Sequence, residues 1–182
     1  MQEKFNLAKT ELSDLLLSIP NIPDDDVPLG SNEEANIVVS QNIYTQKSDG
    51  LDHTQIGELI DGVDFNKATL ISGARFVVLK GKVAKLQRAL IQFMLDEAEN
   101  NGYQEQYVPY IVNTESLIGT GQLPKFEEDQ FKVDENKYLI PTAEVPLTNL
   151  FRDATLDELD LPVKLTAHTP VSYTHLRAHE TG

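Results

Sequence analysis

The stretch IPNIPDDDVPLG, Ile19 to Gly30, divides the chain. Its prolines lack an amide donor and have a fixed φ, so neither a helix nor a central strand runs through it. Asp24, Asp25 and Asp26 repel one another and keep the segment extended. The segment therefore separates a leading element from the body that follows. A linker is predicted over 20–35, leaving 1–19 as a leading element and 36–170 as the body.

Before the linker, Phe5, Ala8, Leu12, Leu15 and Ile19 step by three and four, the a/d seam of a coiled coil. Glu3, Lys4, Lys9, Glu11 and Asp14 take the outer positions. The seam begins with no capping residue before it and is short of the three or four heptads that define a coiled coil. Two readings stand: one amphipathic helix on a globular core, or the end of a longer helical hairpin.

After the linker, ANIVV reads as a strand. Asp52 to Gln55 forms a capping-box start for a helix reaching Leu59. Asp64 caps a short helix, FNKATLIS, which Gly73 ends. ARFVVLK then reads as a strand that Gly81 breaks. A long helix follows from Lys82 to Asn100, stopped by Asn101-Gly102. Its apolar residues lie on two sides: Val83, Leu86, Leu90, Phe93 and Met94, then Ile91, Leu95 and Ala98. A stripe this wide predicts burial against more than one neighbour, one of which can be a second subunit. YQEQYVPYIV returns as a strand, with Pro109 suited to an edge. FKV and YLI flank Asp134-Glu135-Asn136-Lys137 as a β-hairpin, and LPVKLTAH is a last strand. Strands interrupted by helices predict an α+β fold on an antiparallel sheet.

The segments GTGQLPKFEEDQFKV and YLIPTAEVPLTNL, the latter from Tyr138 to Leu150, closely resemble seryl-tRNA synthetase. LLLSIPNIPDDDVPLG resembles the end of that family's helical arm and its exit into the body. The region from Gly73 to Asn113 resembles the first signature motif of class II synthetases. The resemblance runs from near the start to Pro170, in order. It implies a class II antiparallel sheet flanked by helices, preceded by the end of a coiled-coil, tRNA-binding arm at 1–19. The body at 36–170 then corresponds to the front half of the catalytic domain.

The resemblance also implies an activity. The family activates serine with ATP and Mg2+ to seryl-adenylate, then loads tRNA(Ser), and also tRNA(Sec). It works in the cytoplasm as a homodimer built on the first motif. That assigns Leu90, Phe93 and Pro109 to a dimer interface. Thr142-Ala143-Glu144 matches the family's serine-binding triplet. A carboxylate suits serine's ammonium, and a site that hydrogen-bonds a hydroxyl rejects analogues lacking one. A local reading stands beside it: Thr142 is a good N-cap, and Glu144 sits where a helix dipole favours an acid. Thr120 to Phe126 matches a family loop near the pocket or is a plain surface turn; Gly119 and Gly121 would let it move.

After Pro170 the family continues into a second motif, whose Arg-Ser-Glu holds the α-phosphate of ATP. Here VSYTHLRAHETG follows, and Arg177 and Glu180 have the wrong spacing. Residues 171–182 therefore read as a non-native tail. No catalytic or ATP-binding residue is assigned, and a chain of this extent is expected to be inactive by itself. His175 and His179 stand four apart, yet no third ligand accompanies them, so no metal site is assigned. The alternative function is a non-catalytic synthetase-like module that dimerises or binds an amino acid.

Charge supports this division. The net −14 of the 182-residue chain opposes a general grip on nucleic acid. Between Phe65 and Leu95, however, Lys67, Arg75, Lys80, Lys82, Lys85 and Arg88 occur with no acid. These form either a solvated helix face or a surface facing phosphate. Cysteine is absent, which excludes disulfides and thiolate chemistry. No apolar run reaches the ~20 residues of a membrane span.

Overall fold

A computed structural model describes residues 1–40 and 50–172. Residues 20–88 form one compact unit; 1–19 and 89–182 are grouped in a second.

Helix α1 spans Gln2–Ser18 and buries none of its residues. Phe5, Leu12 and Leu15 of its seam are each more than half exposed. The helix stops before Pro20, as the missing amide requires. The linker is exposed up to a single 3-10 turn, Glu33–Ala35, where the Asn32 side chain accepts from Glu34 N–H. The strand predicted at ANIVV does not form: residues 36–40 are irregular and exposed. β-branched residues favour an extended backbone, but a strand also needs a partner, and none pairs here.

In the first unit, α2 (His53–Leu59) begins with the predicted capping box, Asp52 and Gln55 bonding reciprocally to backbone N–H groups. Asp64 caps α3 (Phe65–Ser72) through Lys67 N–H, and Gly73 ends it at φ 105°. A left-handed φ of this kind is readily adopted only by glycine. The strand expected over 74–80 contracts to β2 (Val78–Leu79), antiparallel to β1 (Val63–Asp64). Ala74 to Val77 lie outside the strand and stay exposed. Lys80 binds the carboxylates of Asp61 and, at 3.7 Å, Asp64. Lys67 reaches Asp64 at 3.5 Å. Two cations of the basic run are thus committed to local acids.

Helix α4 spans Gly81–Asn100, in agreement with the predicted long helix. Ile91, Leu95 and Ala98 are half-buried, while Leu86, Leu90, Phe93 and Met94 are exposed. The two apolar sides read from the sequence therefore differ: one is half-covered within the chain, and the other, apart from the half-buried Val83, is bare.

The second unit holds the core. The strand expected over 103–112 is split into β3 (Gln104–Glu105) and β4 (Ile111–Asn113), with Pro109 in the irregular stretch between them. Helix α5 (Thr114–Gly119) follows. The predicted hairpin forms as β5 (Lys132–Asp134) and β6 (Lys137–Leu139), and the sheet order is β4-β6-β5, all antiparallel. Helix α6 spans Glu144–Asn149. The last strand narrows to β7 (Leu165–Thr166), which pairs in parallel with β3. Leu117 of α5, Leu123, Tyr138 of β6 and Val145 of α6 make the buried cluster, with Val112 of β4 against it.

Candidate functional site

The chain reaches the site through the sheet. After β6, Ile140 N–H donates to Tyr110 O at 2.9 Å, and Pro141 O accepts from Ser172 N–H at 3.0 Å. Ile140 and Pro141 are fully buried, so the next residues leave a fixed anchor. Thr142 and Ala143 make a half-buried turn into α6. The alternation then becomes helical. Val145 and Pro146 face inward, Val145 with no exposure. Proline is tolerated there because first-turn amides need no helical partner. Glu144 and Thr148, four apart, stand together on the exposed side.

That side faces a cleft of about 460 Å³. Glu144, Leu147, Thr148 and Phe151 form one wall, and residues around β7, including Leu165 and Thr166, form the other. The cleft thus offers one carboxylate and two hydroxyls between apolar walls. Among the described residues no cationic side chain lines it. The donor set suits a small ligand carrying an ammonium and a hydroxyl, and does not suit a phosphate, which wants arginine, lysine or clustered N–H groups.

Of the triplet named from sequence, only Glu144 lines the cleft; Thr142 and Ala143 immediately precede it. The capping role weighed for Thr142 is not what forms. The N-cap of α6 is Ala143, and no side chain caps the helix. Thr148 and Thr166 were not foreseen. The spacing of Glu144 and Thr148 on a helix carried a signal for the first. Nothing local signals the second, because β7 is placed by a non-local parallel pairing.

The loop at 119–126 is bonded to its surroundings. Thr120 Oγ1 donates to Ser116 O at 3.0 Å, Gln122 and Leu123 N–H both donate to Leu117 O, and Leu123 is buried. Gly121 supplies a φ of 77°, whereas Gly119 belongs to α5.

Leu90 and Phe93 lie three apart on the bare face of α4, 47% and 59% exposed, and Pro109 is exposed before β4. Nearby in sequence, the rings of Tyr107 and Tyr110 lie 6.0 Å apart. A hydrogen bond to Tyr107 holds the Tyr110 phenol above its ordinary pKa. Elsewhere, the hydrogen bond from Lys67 N–H holds Asp64 below the usual carboxylate value, and that from Thr54 does the same for Asp52. The Asp61 hydrogen bond raises Lys80.

Among the described residues, no group of three His, Asp or Glu side chains converges as metal ligands do. His53 and His168 are exposed. His175 and His179, with all but the first two residues of the tail read at 171–182, lie outside the described residues. No described helix is long and apolar enough to cross a membrane.

No protein-family model matches the sequence. Solved structures do match. The chain is similar to seryl-tRNA synthetase from Pyrococcus horikoshii complexed with ATP, at 29% identity and a TM-score of 0.77, over 89% of this chain and 41% of that one. It is similar to cytoplasmic serine-tRNA ligase from Naegleria fowleri in complex with AMP, at 27% identity and a TM-score of 0.75, over 91% of this chain and 40% of that one. A match to the RNA binding domain of threonyl-tRNA synthetase from Cryptosporidium parvum Iowa II, at 18% identity and a TM-score of 0.57 over 69% of this chain, is one of fold alone.

Proposed function

From the premise that this chain has the fold of a seryl-tRNA synthetase over about two fifths of that enzyme's length, we propose that it contributes the serine-recognising wall of such an enzyme. The observation that carries the reading is the placement of Glu144. The residue matching the family's serine triplet is, among the described residues, the only carboxylate lining the cleft. In this reading the Glu144 carboxylate pairs with the serine ammonium, and Thr148 and Thr166 stand where a hydroxyl can be bonded. Phe151, Leu147 and Leu165, each half-buried, supply apolar surface beside that bond.

The two seryl-tRNA synthetase neighbours were captured with ATP and AMP. Among the described residues no cationic side chain lines the cleft, so those residues do not fit a triphosphate. ATP with Mg2+, and tRNA(Ser), belong to the proposed reaction of the whole enzyme. Dimerisation through Leu90, Phe93 and Pro109 is part of the same proposal, supported by the bare apolar face of α4. A cytoplasmic location fits an enzyme of translation.

Calorimetric titration of the purified chain with serine tests the reading. Serine is expected to bind, and Glu144→Gln to weaken it by about tenfold or more, the worth of a hydrogen bond to a charged group. Absence of serine binding, or equal affinity in Glu144→Gln, contradicts it. Serine binding without pyrophosphate exchange is expected of this chain both as part of a synthetase and as an amino-acid-binding module, since neither reading assigns it an ATP-binding residue.

A further inference from the structure

The side chain of Asn149, the last residue of α6, joins parts of the chain that the apolar core only brings near one another. Its Nδ2 donates to Ser116 O of α5 at 2.8 Å and to Val145 O of its own helix at 2.9 Å. Its Oδ1 accepts from Arg152 Nη1 at 3.0 Å. The Ser116 carbonyl lies among the last four of α5, which have no partner inside the helix. It accepts from Asn149 and lies at 3.0 Å from Thr120 Oγ1, whose one proton it shares with Gln122 Oε1. One oxygen thereby ties together the end of α5, the start of the 119–126 loop and α6.

Gly119 completes the arrangement. A Cβ on Gly119 would stand 2.8 Å from Asn149 Oδ1 and 3.6 Å from its Cγ. Real Cβ atoms do not approach an oxygen that closely, and Asn149 is held by three hydrogen bonds and cannot swing aside freely. Gly119 is therefore required by close approach and not as a hinge. Beneath the clamp, Leu117 and Val145 are fully buried. Apolar contact sets their separation but is not directional. The hydrogen bonds are directional, and they decide the angle at which α6 leaves α5.

We infer that Asn149 is a positioning residue: with Gly119 it fixes α6 against α5, and so sets where the Thr142-Ala143-Glu144 turn stands over the cleft. The functional meaning of this clamp rests on the proposed serine reading, while the clamp itself rests on geometry alone.

Amide hydrogen exchange of the full chain reads the clamp directly. Val145 N–H donates to Thr142 O and Leu147 N–H to Ala143 O, so these amides report the turn. Leu139 and Ile140 N–H, bonded in the sheet, serve as controls. Asn149→Asp keeps the shape and loses both donated hydrogen bonds; it should speed exchange at Val145 and Leu147 by about tenfold or more, the net worth of those bonds. The controls should stay within about twofold. Gly119→Ala should act in the same direction alone, and have no such effect in an Asn149→Ala background, where the clashing oxygen is gone. Unchanged exchange at Val145 and Leu147, an equal increase at the controls, or additive effects of the two substitutions overturns the inference. Serine titration of the same proteins separates the two claims: a wild-type chain blind to serine refutes the serine reading, and the exchange pattern still decides the clamp.

Discussion

Replacing Leu117 by alanine removes the side chain on which α5, β6 and α6 converge. Leu117 has no exposure and contacts a cluster containing Leu123, Tyr138 and Val145. Leucine to alanine deletes three carbon groups. At about 0.8 kcal/mol per buried CH2, the lost transfer energy is about 2.4 kcal/mol. The vacated space adds a cavity cost, because Tyr138 and Val145 are held by the sheet and by α6 and cannot fill it. Together these give about 3–4 kcal/mol, within the range of buried leucine truncations. In a unit of this size that corresponds to a fall in melting temperature of about 15–25 °C. Leu70→Ala is the control, since Leu70 is 86% exposed and a surface change should stay within about 0.5 kcal/mol. Urea denaturation of both variants, followed by far-UV circular dichroism and tyrosine fluorescence, supplies the numbers. A Leu117→Ala cost below about 1 kcal/mol, or one equal to that of Leu70→Ala, refutes this account of the core.

The proposed dimer through the bare face of α4 makes a prediction: Leu90→Glu with Phe93→Glu should shift the chain toward monomer in sedimentation equilibrium, and an unchanged mass distribution would argue that the face is not the contact. Acid should weaken the unit at 20–88. Asp52 and Asp64 are held below their ordinary value of 3.8, so their stabilisation is present above that pH and is lost as pH falls through their lower folded values. Asp64→Asn should flatten the loss of helicity below about pH 4, and an unaltered acid transition would remove that cause. Lys80 is shifted upward from 10.5; its contribution is complete below that value and disappears as pH rises through the folded pKa, so Lys80→Met should alter the alkaline limb of the stability profile, and the acid limb more weakly through the lost attraction to Asp64.

Local chemistry made much of this fold legible. The Asp52 capping box, the Asp64 cap, the stop at Gly73 and the hairpin around Asn136 follow from neighbouring residues, and each forms as expected. Strand extents were harder, because β-propensity does not say where a partner ends. ARFVVLK and LPVKLTAH each keep only two paired residues, and ANIVV keeps none. The parallel pairing of β3 with β7 joins residues about sixty positions apart, and no local pattern encodes such a pairing. The site divides in the same way. Glu144 was marked by its motif, while Thr166, brought opposite by that pairing, carried no mark. Gly119 was expected to permit movement; its neighbour Asn149 gives it the opposite role.

The most direct test of the serine reading is a map of amide chemical shifts during titration with serine and, separately, with alanine. The account predicts serine-dependent shifts concentrated at Thr142, Glu144, Thr148 and Thr166, much weaker with alanine because the hydroxyl is missing. Shifts that fall elsewhere, or that are equal for the two amino acids, would contradict it.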